Sequence, residues 1–241
     1  GIRDPEMSRG SEMCIRDRTT VASAGNLTSA VYRIFGKPFS EEGKKLFGVP
    51  FAQFLKLNSE FRYHYRIDKN QMIASRIAGG VIWSYGNATT APYTEQFYIG
   101  GANSVRAFSA RSIGPGGYPP ETDRKYTYIN HVGDIRIEAN IEYRFRMIAD
   151  LHGAVFLDAG NVWLMRKDEN RPNGEFTLKN FPKQIALGTG FGLRYDLDFL
   201  VFRLDLGIGL HDPYDTGKSG YYNIPKFKDS MALHFAIGYP F

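Results

Sequence analysis

Residues 55–67 read Leu-Lys-Leu-Asn-Ser-Glu-Phe-Arg-Tyr-His-Tyr-Arg-Ile. Leu55, Leu57, Phe61, Tyr63, Tyr65 and Ile67 share one parity; Lys56, Asn58, Glu60, Arg62, His64 and Arg66 share the other. Successive side chains of a strand point to opposite faces, so this stretch reads as a β-strand with one apolar and one charged face. The alternation returns at 133–146. There Ile135, Ile137, Ala139, Ile141, Tyr143 and Phe145 interleave with Arg136, Glu138, Asn140, Glu142, Arg144 and Arg146. It returns again at 200–211, with Leu200, Phe202, Leu204, Leu206, Ile208 and Leu210 set against Arg203, Asp205 and His211, and Gly207 and Gly209 between. Weaker versions run at about 20–35, 72–85, 153–163, 184–197 and 230–241. Eight strands of roughly 10–15 residues are expected, where strands in soluble proteins average nearer 5–6. Tilted strands of that length cross a bilayer.

The links between strands alternate in length. Short ones at 68–71, 148–151 and 196–198 separate long ones at 36–50, 86–131, 164–183 and 212–229. Outer-membrane barrels have short turns on the periplasmic side and long loops outside. A soluble sandwich or lipocalin-like barrel has the same period. It would, however, have to pack 18 Phe and 15 Tyr, with Trp and Leu besides, into a narrow core. The mean hydropathy of −0.33 does not oppose a membrane barrel, because alternating faces average to near neutral. The fold class expected is all-β, a transmembrane antiparallel barrel. On that reading the polar face tolerates added charge at Asp205 better than the apolar face does at Leu204.

Several function classes drop out. No apolar run is long enough for a membrane-spanning helix. The net charge of +5 is scattered, with many Arg and Lys at alternate strand positions, so no nucleic-acid patch is expected. The single Cys14 excludes an internal disulfide framework and a multi-cysteine metal site. There is no Gly-x-Ser-x-Gly, His-Glu-x-x-His or phosphate loop, and the five histidines lack ligand spacing. Asp205 and His211 share a strand face but lie about 20 Å apart at strand rise. No enzyme activity, metal or cofactor is expected.

The two ends read differently. Residues 1–18 have no apolar period and no signal-peptide core. They are expected to be a disordered or non-native tail carrying Cys14, with the barrel domain at 19–241 and the natural start further upstream. At the other end Leu233, Phe235, Ile237, Tyr239 and Phe241 alternate to the last residue. That series resembles the C-terminal signal that assembly machinery reads on bacterial outer-membrane barrels.

The link at 86–131 is too long to be mere connection. It contains Phe97-Tyr98-Ile99-Gly100-Gly101-Ala102-Asn103-Ser104-Val105-Arg106-Ala107-Phe108, then Arg111-Ser112-Ile113-Gly114-Pro115-Gly116. Val105-Arg106-Ala107-Phe108 resembles the Val-Arg-Gly-Phe/Tyr motif in the sixth extracellular loop of the BamA/TamA superfamily of outer-membrane insertases and translocases, with Ala107 where Gly is usual. Residues 133–145 resemble the strand after that loop. Phe156-Leu157-Asp158-Ala159-Gly160-Asn161-Val162-Trp163 resembles the next one. The resemblance covers roughly residues 20–241.

The resemblance implies a sixteen-stranded barrel in the bacterial outer membrane, of which this chain supplies the C-terminal half. It implies that loop 86–131 folds into the lumen and that Glu142 and Asp158 hold Arg106 there. The implied work is insertion and folding of outer-membrane proteins, or protein translocation, through a weak seam that accepts an incoming strand. The essential insertase, the TamA-like factor and the secretion pore all remain open. Implied partners are the lipid bilayer, nascent outer-membrane proteins, and periplasmic or lipoprotein assembly factors. A passive porin is the alternative, and an outer-membrane enzyme a more distant one.

Overall fold

The computed structural model describes residues 13–38, 43–119, 131–197 and 199–241. Eight strands form one antiparallel sheet: β1 (Met13–Ala24), β4 (Phe54–Arg66), β5 (Gln71–Ser84), β6 (Ile135–Ile148), β7 (Leu151–Trp163), β8 (Ala186–Asp196), β9 (Val201–His211) and β10 (Met231–Ile237). Their spatial order is their chain order, so every pair is a hairpin neighbour, and the sheet is open, with β1 and β10 at its ends. A helix, α1 (Asn26–Ile34), and two short strands, β2 (Lys45–Leu46) and β3 (Val49–Pro50), occupy the link between β1 and β4.

The register places all long links at one end. Ala24 pairs with Phe54, Phe54 with Ser84, and Ile135 with Trp163. The opposite end holds tight turns: the Ile67 amide donates to the Gln71 carbonyl at 3.0 Å, and the Asn70 amide to Asp68 Oδ1 at 2.6 Å.

The two faces are inverted relative to a soluble sheet. Leu57, Ile77, Ile141, Leu157, Phe191, Leu204 and Phe235 are exposed. Glu142, Asp158, Arg194 and Asp205 of the other face are fully buried. Those polar residues lie under the long link between β5 and β6, which defines an inner face. Only a lipid environment makes the apolar outer face favourable, since such a wall in water is an aggregation surface. The apolar core sits between that link and the sheet, where Phe97, Ile99, Val105 and Ile113 pack on Phe54, Ile82, Val162 and Ala186.

Three expectations need correction. The first strand is not at 20–35: β1 ends at Ala24 and α1 follows. Gly25 has a left-handed φ of 72°, and a β-carbon there would meet the Ala52 carbonyl, so the strand turns where only glycine fits. Beyond it, Leu27, Val31 and Ile34 recur at a helical period.

Part of the stretch expected to be disordered is ordered. Met13–Arg18, including Cys14, belongs to β1, with Met13 opposite Tyr65 and Arg18 opposite Glu60. A backbone ladder needs no apolar side chains, so pairing continues past the apolar signal. Residues 1–12 lie outside the described residues, as do residues 120–130 of the long link.

The last strand stops early. β10 ends at Ile237, Gly238 adopts a φ of 85°, and Pro240 has no amide to extend the ladder. Leu233, Phe235 and Ile237 face outward, Tyr239 is exposed, and Phe241 turns inward and is buried.

Candidate functional site

The tip of the link between β5 and β6 is folded on itself. The Gly101 amide donates to the Phe108 carbonyl at 2.8 Å, and the Phe108 amide to the Val105 carbonyl at 3.1 Å. This turn presents Arg106 to the inner face. The base of the link is fastened by paired amides of Phe97 and Gly133, both at 2.9 Å, and by the Gly116 amide on the Val162 carbonyl at 2.7 Å.

Arg106 is fully buried. Its backbone amide donates to Asp158 Oδ2 at 3.0 Å, its Nε to the same oxygen at 2.8 Å, and its Nη2 to Asp158 Oδ1 at 2.9 Å. Nη1 donates to Glu142 Oε2. A planar guanidinium thus grips one carboxylate with two side-chain donors and reaches a second, a geometry an ammonium cannot copy. The guanidinium carbon stacks 3.6 Å from the Phe156 ring centroid. Burial opposes the charge, but the bonds and charges of Asp158 and Glu142 outweigh it and hold the Arg106 pKa above its ordinary value. The structure therefore brings Arg106, Glu142 and Asp158 together. Val105 and Ala107 are buried around them, and Phe108 packs at the edge of the core.

The acids are themselves shared. Arg144 Nε donates to Glu142 Oε1 at 2.7 Å, and Arg194 Nη2 to Glu142 Oε2 at 3.1 Å. Asn140 Nδ2 donates to Asp158 Oδ1 at 2.9 Å. Asp205 lies 2.8 Å from Arg194 Nη1, 3.3 Å from Arg203 Nε and 3.9 Å from Arg106 Nη1. Asp205 is thus not a tolerant polar position: it is fully buried among three arginines. The inward Phe241 ring lies beneath the same cluster, 5.9 Å from the Arg106 guanidinium and 5.7 Å from that of Arg144.

Several strands hold the tip besides. Arg76 of β5 donates to the Asn103 carbonyl at 3.0 Å and Asn140 of β6 to the Ser104 carbonyl at 3.0 Å. Arg203 of β9 reaches Asn103 Oδ1 at 2.6 Å, and His234 Nε2 of β10 donates to the Arg106 carbonyl at 2.9 Å. One turn of chain thus ties β5, β6, β7, β9 and β10 together.

Close approach requires bare backbone on the wall. A β-carbon at Gly207 would meet the Arg106 carbonyl and lie 2.7 Å from Ala107 Cα. One at Gly188 would collide with the Ala107 methyl. Ala107, where the resembled motif has glycine, fits because Gly188 leaves it room.

No motif marks Arg194, Arg203, Asp205, His234 or Phe156 as site residues. Their signal was parity: each lies on the polar side of its strand, where inner-face residues gather. His211 faces the carbonyl oxygens of Tyr221 and Lys183 at 2.7 and 2.9 Å, a structural setting away from Asp205. Among the described residues no His, Cys, Asp and Glu cluster could hold a metal.

Residues 16–241 match the Omp85 superfamily domain. Over 204 residues, 83% of the chain, the sequence is 28% identical to the outer membrane protein assembly factor BamA of Nitratidesulfovibrio vulgaris, and that match spans 22% of the relative. It is 29% identical over 89 residues, 35% of the chain and 11% of the relative, to the BamA of Neisseria meningitidis serogroup B. Among solved structures it is similar to BamA from Haemophilus ducreyi lacking POTRA domains 1–3. There the TM-score is 0.53 at 16% identity, over 77% of this chain and 35% of that one, a likeness of fold alone. The chain belongs to the Omp85 superfamily, and so to the bacterial outer membrane.

Proposed function

We propose that this chain is the lock-bearing wall of an outer-membrane protein assembly factor, a barrel that helps other β-barrel proteins insert and fold. The observation that carries the reading is Arg106 buried between Asp158 and Glu142 at the tip of a link laid over the inner face. A passive channel needs an open interior, whereas here the inner face is occupied and cross-tied. The named function of the curated relatives points the same way. Protein translocation is the sister reading within the superfamily.

The work asked of such a barrel involves no bond chemistry. An incoming strand brings unpaired amides and carbonyls that are costly in lipid, and an accessible sheet edge satisfies them by β-augmentation. β10 suits that role: it pairs through seven residues beside an eleven-residue β9, and Gly238 bends the chain off the sheet. The lock at Arg106 holds the wall in register while the seam next to β10 yields. Partners on this reading are nascent outer-membrane proteins and the bilayer, with periplasmic or lipoprotein factors beyond. Leu233, Phe235 and Ile237 supply the outward part of the barrel's own assembly signal.

The test is reconstitution of the full-length protein in liposomes, with folding of a urea-unfolded outer-membrane barrel followed by its heat-modifiable gel shift. Acceleration by the wild type and its loss in Arg106→Ala, with little steady conductance, is expected. Large steady conductance without acceleration would overturn the proposal in favour of a channel.

A further inference from the structure

The link between β1 and β4 carries an amphipathic helix turned inside out. α1 meets the protein with its polar residues. Asn26 donates to Ser23 Oγ at 2.5 Å and accepts from the Tyr85 hydroxyl at 2.7 Å. Buried Ser29 accepts from Lys44 Nζ at 3.2 Å. The Tyr32 hydroxyl donates to the Lys45 carbonyl, and its ring stacks on Phe51. Away from these contacts Leu27, Val31, Ile34 and Phe35 are 82%, 45%, 81% and 80% exposed. The turn between β2 and β3 adds Phe47 at 97% exposed, with Val49 beside it. A helix on a water-facing surface does the reverse and buries its apolar stripe.

Three further observations say what covers this stripe. First, the inversion is the one the strands show, where the uncovered apolar face belongs to lipid. Second, the stripe continues that face: Gly25 follows Ala24 directly, Ser23 pairs with Leu55, and Leu55 pairs with Trp83, both outward and exposed. A tryptophan at the end of an outward strand face is at home in the headgroup layer. Third, there is no acidic residue from Thr19 to Ser40, and the two cations of that stretch, Arg33 and Lys37, are exposed beside the stripe. Cations flanking an apolar helix face suit anionic lipid phosphates.

We propose that α1, with the turn between β2 and β3, lies in the membrane interface on the long-link side, its apolar stripe among the acyl chains and its cations among the lipid phosphates. It forms a foot that fixes how deep this edge of the barrel sits. The proposal rests on the membrane sheet and not on the assembly function.

The test uses the full-length protein with Cys14→Ser, any other cysteine replaced, and a nitroxide at Leu27→Cys, Ile34→Cys or, as a water-facing control, Lys179→Cys. Heat-modifiability establishes that each variant is folded. In vesicles of phosphatidylethanolamine and phosphatidylglycerol, oxygen should relax the labels at 27 and 34 more than a water-soluble nickel chelate does, and the order should reverse at 179. Nickel access at 27 and 34 equal to that at 179 would overturn the proposal. So would immobilised labels shielded from both relaxants, since those would mean that protein, another part of the chain or a second copy, covers the stripe.

Discussion

Arg106→Ala removes three side-chain hydrogen bonds to carboxylates: two to Asp158, at 2.8 and 2.9 Å, and one to Glu142. At about 1.5–3 kcal/mol for each bond to a charged group, the gross loss is roughly 4.5–9 kcal/mol. The net loss is smaller, because the acids keep other donors. Asp158 retains Asn140 and the backbone amide of residue 106, and Glu142 retains Arg144 and Arg194. Removing one member of a buried charged set costs about 3–5 kcal/mol, which we take as the working value. Against it stands the ordering of a long link, whose closure entropy is on the order of 3–4 kcal/mol for some fifty residues. The two are of similar size, so the substitution should free the tip while leaving the strands paired. Hydrogen exchange on the full-length protein in nanodiscs reads this directly. Protection of the amides of Gly101, residue 106 and Phe108 should fall by roughly two to four decades, at about 1.36 kcal/mol per decade. Amides in β6 and β7 should hardly change. Arg106→Lys should recover little, since an ammonium cannot grip one carboxylate twice and reach the other. Unchanged protection at the tip of Arg106→Ala would refute the reasoning.

Other substitutions probe the wall. Leu204→Arg should cost about 2–4 kcal/mol in lipid if it sits near the midplane, as read by denaturant unfolding from vesicles. Asp205→Ala should destabilise in detergent as well as in lipid, because its partners are Arg194 and Arg203 and not the bilayer. Gly207→Val should loosen the tip in the same exchange experiment without removing any charge, since its β-carbon would land 2.7 Å from Ala107 Cα, whereas Ala107→Gly should be tolerated. Protease on intact cells should cut within the links at 164–183 or 212–229, and cleavage confined to 68–71 would reverse the assigned orientation.

Most of the sheet was legible because its signal is local. A period of two with charged residues on one parity marks β4, β6 and β9 whatever surrounds them. β1 was harder, since Asp17, Thr19 and Ser23 interrupt its outward apolar set, and pairing with β4 came from the partner and not from its own pattern. α1 is concealed in the sequence because the alternation before Gly25 runs on formally past it, although Leu27, Val31 and Ile34 carry a helical period. The break at Gly238 was hidden in the same way, because Tyr239 and Phe241 keep the right parity while the backbone does not. In the site, Arg106, Glu142 and Asp158 are legible through the family resemblance, and the parity of the two acids agrees with it. Arg194, Arg203 and Asp205 complete the cluster through inter-strand register, which residue spacing along one strand does not reveal.

The most direct measurement is a cryo-electron microscopy structure of the full-length protein in lipid nanodiscs. The Arg106 guanidinium should lie within hydrogen-bond reach of both Asp158 and Glu142 inside the barrel, with Leu204, Leu233 and Phe235 against lipid. Arg106 in bulk water with the link at 86–131 outside the lumen, or those apolar residues facing a hydrated interior, would contradict it.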